Sequence, residues 1–217
     1  SRGLRGAGFA LPGVVYLAED RAFLTYLESP GRIDLVTKRV AHEVAHQWWG
    51  IGVDFATYRD QWLSEGFSTF AALWYLQTVR GDVKQYFEIL DEYKADLLVR
   101  GEDAAPIGLG YRTADADNPG DHNLVVYQKG AWVLHMLRAM MIDLKSMQED
   151  RFTGLMKDFY QDYRGKRAST ADFQRAVEQH TGQDLGWFFS QWVYRSAIPT
   201  YRVGYQVVAA PDGEYLA

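Results

Sequence analysis

The spacing of hydrophobic and polar positions predicts a mainly helical protein with a few short strands. A short apolar run at 13–17 predicts a strand, and an alternating run at 201–208 predicts another. The stretch 101–123 is rich in Gly, Asp, Asn and Pro and predicts a long loop. Seven segments are predicted to be helices: 34–49, 60–80, 83–100, 124–143, 149–163, 171–180 and 185–195. The predicted fold class is therefore α+β and predominantly helical.

Glycines and one capping motif set the predicted ends of several helices. Gly50 follows the first predicted helix and is expected to end it. Ser169 and Asp172 have the residue types and spacing of a capping box, which predicts the start of the helix at 171–180. Gly182 is expected to end that helix.

Composition and charge exclude several classes of function. The 217 residues are enough for one large domain or two small ones, with an ordinary 47% hydrophobic and 24% charged residues. A net charge of −5 argues against binding nucleic acid through a basic surface. The absence of cysteine excludes disulfides and thiolate metal ligands. No apolar run is long enough to span a membrane, and the first residues lack the layout of a signal peptide. The compartment is open, with a soluble cytoplasmic domain as the default expectation.

The motif H-E-V-A-H at 42–46 is the strongest chemical signal. On a helix, His42 and His46 are one turn apart and leave the same face, so that they can bind one zinc ion. Glu65 can supply a third ligand from another element, and three protein ligands leave a fourth position open, as in catalytic zinc sites. Glu43 would project beside the metal without binding it, where a general base is needed.

Each of these residues also has an ordinary structural interpretation. His42 and His46 could be surface histidines on a helix, and Glu65 could be a solvated carboxylate at a helix start. However, the stretch 39–50 is largely apolar, so the helix is expected to be buried. A buried pair of histidines needs polar partners or a metal. We therefore interpret the three residues as a metal site.

Three blocks resemble the M1 family of zinc metallopeptidases, the gluzincin aminopeptidases. The family pattern is H-E-x-x-H, eighteen residues and then E, and here eighteen residues separate His46 from Glu65. His46 is followed by Q-W-W-G, and Glu65 lies within W-L-S-E-G-F. The third block, Y-Q-K-G-A at 127–131, is similar to the family's Y-E-K-G-A.

The resemblance implies roles for individual residues. It implies one zinc ion bound by His42, His46 and Glu65, with Glu43 as the general base. It implies that Tyr127 donates a hydrogen bond to the transition-state oxyanion, a task that suits a neutral phenol. The alternative for Tyr127 is that it is one of fourteen tyrosines and only packs.

The resemblance also implies a fold and a domain order. We expect a thermolysin-like zincin catalytic domain over 1–200, with a zinc-site lobe at 1–120 and a helical lobe at 121–200. Residues 201–217 would begin a truncated C-terminal β segment, and flanking β domains would complete the full-length protein. The implied function is a zinc-dependent metallopeptidase acting on peptides, as an M1-type aminopeptidase.

One block departs from the family pattern. The family has a G-x-M-E-N segment before the zinc helix, whose glutamate binds the substrate's amino group and whose backbone runs beside the peptide. Aligning 13–15 with the family's G-L-I places Ala10 at that glutamate, and alanine cannot pair with an ammonium group. Ala10 and Gly13 remain candidates for substrate contact through their backbone. His122, five residues before Tyr127, is a further candidate, because many family members have a second tyrosine there.

The departure leaves three explanations open. Another carboxylate could bind the amine, the alignment could be shifted, or the enzyme could be an endopeptidase or other amide hydrolase that needs no free amine. A fourth possibility is a non-catalytic zinc-binding fragment of a larger protein. For His122, an ordinary surface or core position is the alternative.

Overall fold

Helices make up most of the described part of the chain, and the strands in it are short and paired two by two. The computed structural model describes residues 8–17, 35–100, 103–114, 120–200, 202–205, 208–209 and 215–216. The α-helices are α1 Leu35–Ala45, α2 Trp62–Thr78, α3 Val83–Arg100, α4 Gly130–Met140, α5 Asp150–Tyr163, α6 Thr170–Thr181 and α7 Gly186–Trp192. Tight 3₁₀ turns cover Tyr58–Asp60 and Ile107–Thr113, and a π-helix covers Asn123–Lys129. The predominantly helical α+β fold class is confirmed.

The strands form three separate pairs among the described residues. The antiparallel hairpin of β1 (Phe9–Leu11) and β2 (Val14–Tyr16) pairs Ala10 with Val15. The parallel pair joins β3 (Asp54–Phe55) to β4 (Arg167–Ala168), and the last antiparallel pair joins β5 (Val208–Ala209) to β6 (Tyr215–Leu216). Since none of the described strands belongs to a sheet of more than two, helix packing supplies the core.

Helix α2 is the centre of the core. It is apolar on nearly all sides and contacts α1, α3, α4 and the π-helix. Trp62 and Phe67 are fully buried and pack edge-on against each other and against Phe173 of α6. Trp49 packs on Phe67 in the same way and connects the segment after α1 to this cluster. The cluster fixes the start of α2 relative to the end of α1.

Several predicted boundaries are wrong for identifiable reasons. The first helix ends at Ala45 and not at residue 49, because Gly50 adopts a positive φ of 109° and the chain turns back. The amides of residues 51–53 then donate to the carbonyl groups of residues 46–48. The helix predicted at 124–143 is a π-helix followed by α4, which ends at Met140. Hydrophobic periodicity alone does not distinguish a π-helix from an α-helix.

The two predicted strands and the predicted long loop have different outcomes. The predicted strand at 13–17 is half of a hairpin, since the turn at Gly13, with φ of 75°, allows β1 to pair back. The predicted loop at 101–123 contains the 3₁₀ turn Ile107–Thr113, and residues 101–102 and 115–119 lie outside the described residues. The strand predicted at 201–208 is wrong over residues 202–205, whereas Val208 begins β5, and 201, 206 and 207 lie outside the described residues.

The capping box before α6 is confirmed. Ser169 accepts a hydrogen bond from the Asp172 amide, Asp172 accepts one from the Ser169 amide, and Gly182 ends the helix with a φ of 69°. In the described part of the chain, no helix combines the length and apolar character needed to cross a bilayer. The π-helix and α4 pack against α2, and the division into two lobes at residue 120 stays a prediction.

Candidate metal centre and active-site cleft

Three side chains from the end of α1 and the start of α2 bring one donor atom each to a common point. His42 lies in α1, His46 directly follows its last residue, and Glu65 lies in the first turn of α2. The Nε2 atoms of the two histidines are 3.1 Å apart, and Oε2 of Glu65 is 3.3 Å from His42 Nε2 and 3.2 Å from His46 Nε2. Donors about 2.0–2.1 Å from a tetrahedral zinc ion lie about 3.3–3.4 Å from one another. The spacing therefore fits a tetrahedral metal with one position left for another ligand.

Hydrogen bonds on the other side of each imidazole leave Nε2 free to face the cluster. The Nδ1 atom of His46 lies 3.0 Å from the carbonyl oxygen of Trp49, which can only accept, so Nδ1 carries the proton. Thr69 donates its hydroxyl to the Glu65 carbonyl oxygen at 2.7 Å and can accept from His42 Nδ1 at 3.3 Å. These contacts set the tautomer that presents an Nε2 lone pair to a metal.

The histidines hold Glu65 in the charged form that a metal requires. Burial acts to raise the pKa of the Glu65 carboxyl, but hydrogen bonds from His42 and His46 outweigh it and lower the pKa to about 2. Burial also acts to lower the pKa of His46, and the hydrogen bond to Glu65 outweighs it and raises that pKa. A divalent ion at this point would meet an ionised carboxylate and could replace protons on the imidazoles.

Glu43 lies beside the cluster on the cleft wall. It neighbours His42 on α1, is 7% exposed and lines a cleft of about 710 Å³. Burial raises the pKa of the Glu43 carboxyl, although the nearby His42 and His46 act to lower it. Gly8 packs so closely that a Cβ atom there would lie 2.2 Å from Oε1 of Glu43. A carboxylate with a raised pKa in a cleft can accept a proton from a bound water.

Tyr127 lies on the π-helix and contacts the cluster. Its ring centroid is 6.0 Å from that of His42, with the two rings nearly parallel. The Glu65 carboxylate interacts electrostatically with its hydroxyl. Burial, with the carboxylates of Glu65 and Glu43, raises the pKa of Tyr127 well above its usual value, so the phenol stays protonated and can donate a hydrogen bond.

Two glycines allow the π-helix to approach α2. A Cβ atom on Gly66 would lie 3.0 Å from the Cα of Gly130 and 3.0 Å from the carbonyl oxygen of Val126. Any side chain at Gly66 would therefore push the two backbones apart. Because Gly66 follows Glu65 and Gly130 lies three residues after Tyr127, this contact sets the distance between the carboxylate and the phenol.

The β1–β2 hairpin forms another side of the cleft. Ala10 lines the cleft, whereas Gly13 lies in the exposed turn and is not among the described lining residues. Gln47, next to His46, holds the hairpin: its Nε2 donates to the carbonyl oxygen of Leu11 at 2.9 Å, and its Oε1 accepts from the Gly13 amide at 2.8 Å. One side chain thus connects the end of α1 to the turn of the hairpin.

His122 lines the cleft on the side of Tyr127. The two ring centroids are 5.7 Å apart. Thr113 donates its hydroxyl to the Gly110 carbonyl oxygen at 2.7 Å and can accept from His122 Nδ1 at 2.9 Å. Burial lowers the pKa of His122. A neutral imidazole with Nδ1 protonated presents an acceptor, Nε2, for a further contact.

Comparison with known proteins agrees with this arrangement. Residues 14–192 match the model of the peptidase family M1 domain, which is most of the chain. The chain belongs to peptidase family M1. Its relatives include Aminopeptidase M1 of Arabidopsis thaliana, 28% identical over 172 residues, covering 79% of this chain and 18% of that protein. Glutamyl aminopeptidase of Rattus norvegicus is 25% identical over 194 residues, covering 88% of this chain and 20% of that protein. The M1 chain spans about a fifth of the length of these relatives.

Solved structures of other proteins share the fold. An M1 zinc metallopeptidase from Deinococcus radiodurans has a TM-score of 0.66 at 22% identity, over 94% of this chain and 40% of that one. Native yeast LTA4 hydrolase has a TM-score of 0.63 at 16% identity, over 91% of this chain and 31% of that one. At these identities the likeness concerns the fold, and it confirms the catalytic-domain fold that the resemblance implied.

Several residues around the M1 site were missed by sequence reasoning. Ser64 and Ser68 place hydroxyls 3.3 and 3.1 Å from Nδ1 of His46, and Thr69 does so for His42. The sequence did contain a signal for two of them: Ser68 and Thr69 lie three and four residues after Glu65, so on a helix they share the face of this predicted metal ligand. Gln47 contacts Gly13, 34 positions away, and Leu11, 36 positions away, and no local sequence pattern reveals contacts at such a distance.

Proposed function

We propose that this chain is the catalytic domain of a zinc-dependent peptidase of the aminopeptidase type. The spacing of 3.1–3.3 Å among the donor atoms of His42, His46 and Glu65 carries the proposal, because it fits the tetrahedral geometry of zinc. The donor set of two imidazoles and one carboxylate is also the set of hydrolytic zinc sites with an open position. Membership of the M1 family supports the same ion.

Each residue of the cleft has a role in the proposed hydrolysis. Zinc, when bound, would supply a Lewis acid that activates water and polarises the scissile carbonyl group. Glu43 takes a proton from the attacking water and delivers it to the leaving nitrogen. Tyr127 donates its hydroxyl hydrogen to the oxygen on which negative charge develops.

The hairpin offers the substrate an edge to pair with. Strand β1 borders the cleft at Phe9 and Ala10 and pairs, among the described strands, only with β2. An extended peptide can therefore pair with its free edge. Gly13 contributes by shaping the turn, and His122 contacts the substrate through Nε2.

The relatives favour the aminopeptidase over the alternatives. The proteins of Arabidopsis thaliana and Rattus norvegicus are both named aminopeptidases, which speaks against an endopeptidase, another amide hydrolase or a non-catalytic zinc-binding fragment. Intact Glu43 and Tyr127 agree with activity. The greater length of the relatives supports flanking domains in a longer protein, which is part of the proposal.

The test combines metal analysis with a blocked substrate. We expect about one zinc ion per chain after dialysis, and a Glu65→Ala variant should lose much of that metal. A short peptide with a free amino terminus should be cleaved, and its N-acetylated form should not. Glu43→Gln should keep zinc and lose hydrolysis by about three orders of magnitude or more.

Different outcomes contradict different parts of the proposal. Full zinc content in Glu65→Ala would remove this residue from the metal site. Turnover retained in Glu43→Gln would exclude it as the base. Equal cleavage of the free and the acetylated peptide would leave a zinc peptidase but exclude the aminopeptidase.

A further inference from the structure

Two basic side chains lie on the cleft wall beside the metal centre. Lys38 precedes His42 by one helical turn on α1, and Arg39 precedes Glu43 by one turn. Both are half-buried and line the same cleft. Residues one turn apart on a helix are neighbours, about 5–6 Å between Cβ atoms. The two cations therefore lie within reach of a group bound next to the metal.

A neutral group holds the ammonium of Lys38 in place. Its Nζ donates to the hydroxyl of Tyr93 on α3 at 3.1 Å and lies 5.3 Å from the centre of the same ring. Within the described part of the chain, no carboxylate lies within 4 Å of this ammonium. Tyr93 thus fixes the position of the lysine without neutralising its charge.

The acidic side chains described in the cleft are those of the metal centre and of Glu43 beside it. Among the described lining residues, the acidic side chains are Glu43 and Glu65, and Glu65 is bound to the two histidines. Lys38 is also among the described lining residues, and a divalent ion would add two positive charges to the same cleft. Such a cleft favours a ligand with a negative group.

We propose that Lys38 binds a carboxylate of the substrate close to the scissile bond. This inference rests on the proposed function and names the substrate class of the same site. The carboxylate has two possible sources, an acidic side chain next to the cleaved bond or the free C-terminus of a short peptide. Lys38 has spare N–H donors after its bond to Tyr93, and a charge-assisted hydrogen bond to a carboxylate is the stronger kind.

The experiment compares matched peptides on the zinc-loaded chain. The first pair compares a short peptide that has a free C-terminus with the same peptide as its C-terminal amide. The second pair compares two amidated peptides that differ only in having Glu or Gln next to the scissile bond. Dissociation constants are measured by calorimetry with Glu43→Gln, and kcat/KM is measured with the unchanged chain. We expect the acidic member of at least one pair to be preferred about tenfold, with the preference falling as salt rises. The responsive pair identifies the source of the carboxylate.

Variants assign the preference to Lys38. Lys38→Met should abolish it while leaving the amidated, uncharged peptide about equally bound, and Lys38→Arg should restore most of it. Lys84→Met is the matched control, since Lys84 lies on α3 with its side chain 86% exposed and should change nothing.

The outcomes separate this inference from the proposed function. If acidic and neutral peptides have equal dissociation constants with Glu43→Gln and equal kcat/KM with the unchanged chain, the inference is overturned, even if Lys38→Met fails to fold. A preference that persists in folded Lys38→Met overturns the assignment to Lys38. If no peptide is hydrolysed, the proposed function fails, and the calorimetric comparison still decides whether the cleft binds carboxylates.

Discussion

The metal centre and the hairpin form two sides of one cleft, but they are held in very different ways. His42, His46 and Glu65 lie where α1 meets α2, and hydroxyl or carbonyl groups orient both imidazoles. The hairpin packs few side chains: Phe9, Leu11, Val14 and Tyr16 are 42–57% exposed. A two-stranded hairpin has little stability of its own, so its position depends on the contacts of Gln47.

This difference in anchoring separates the residues proposed for catalysis from the strand proposed to contact the substrate. Groups that must keep sub-ångström geometry lie on buried helices, whose local unfolding is costly. The edge that pairs with a peptide lies on an element that can move without disturbing the core. Changes on the helical side should therefore lower kcat or stability, and changes in the hairpin should mainly raise KM.

After the loss already expected for Glu43→Gln, the largest effect is expected at Tyr127. Tyr127→Phe removes the hydroxyl hydrogen bond and keeps the ring beside His42. We expect kcat to fall about 10²–10³-fold, since loss of one oxyanion donor has this cost, with KM and zinc content nearly unchanged. Steady-state kinetics and metal analysis measure this, with Tyr75→Phe, on the exposed side of α2, as control. A decrease in kcat of less than threefold would mean that Tyr127 only packs against its neighbours.

Lys129 adds a buried charge to the helical side. It is 4% exposed, its Nζ donates to the Arg195 carbonyl oxygen at 2.9 Å, and burial lowers its pKa to about 8. Between pH 8 and the unfolded value of 10.5, the unfolded chain binds more protons, so stability rises with pH in this window. Below pH 8 the full cost of the buried charge is present.

Lys129→Met removes this pH dependence. The side chain borders an apolar cavity of about 380 Å³, so methionine finds apolar neighbours. The free energy of unfolding of the unchanged chain, minus that of the variant, should increase by about 3 kcal/mol from pH 7 to pH 10.5. Urea denaturation at several pH values measures it, and a difference independent of pH would mean that Lys129 keeps an ordinary pKa in the folded chain.

Gly66→Ala tests the close contact behind the Glu65–Tyr127 geometry. The added Cβ atom would meet backbone atoms of Gly130 and Val126 at 3.0 Å, and backbone atoms cannot move aside without shifting a helix. We expect a loss of about 1–3 kcal/mol in stability, with a fall in kcat because Tyr127 moves away from Glu65.

The matched control for Gly66→Ala is Gly154→Ala in α5. There the nearest atom to a Cβ is Cε1 of His180 at 3.7 Å, an ordinary contact. This control should be neutral or stabilise the chain by up to about 1 kcal/mol, since alanine favours helices. Equal effects of the two substitutions on thermal unfolding would show that the contact between α2 and the π-helix is not tight.

Much of the helical side could be predicted from the sequence. His42 and His46 lie one turn apart, and the apolar pattern around Glu65 places it at the start of a buried helix. The approach of α2 to α1 depends on aromatic packing of Trp49 on Phe67, which brings together side chains eighteen positions apart. Family resemblance, and not periodicity, joined Glu65 to the histidines.

The rest could not be predicted because it depends on backbone detail or distant contacts. The π-helix around Tyr127 has the hydrophobic pattern of an α-helix, and its extra residue per turn leaves no local signal. Strand β1 was missed because three residues show little alternation, and the structure defines it only through pairing with β2. The glutamate expected at Ala10 is absent from the sequence itself, so geometry alone cannot supply an amine-binding group there.

The smallest effect, and the sharpest test of the comparison, is expected at Gln47. Gln47→Ala removes both hydrogen bonds to the hairpin, each with a net value of about 0.5–1.5 kcal/mol and less where exposed. Because the hairpin is not part of the core, global stability should change by less than about 1 kcal/mol. Amide hydrogens of residues 9–16 should exchange faster, and KM should rise about three- to tenfold with kcat nearly kept. Gln183→Ala, at an exposed position away from the cleft, should change neither. If Gln47→Ala lowered kcat and left both KM and the exchange of residues 9–16 unchanged, the glutamine would act on the metal helix, and the hairpin would be held by other contacts.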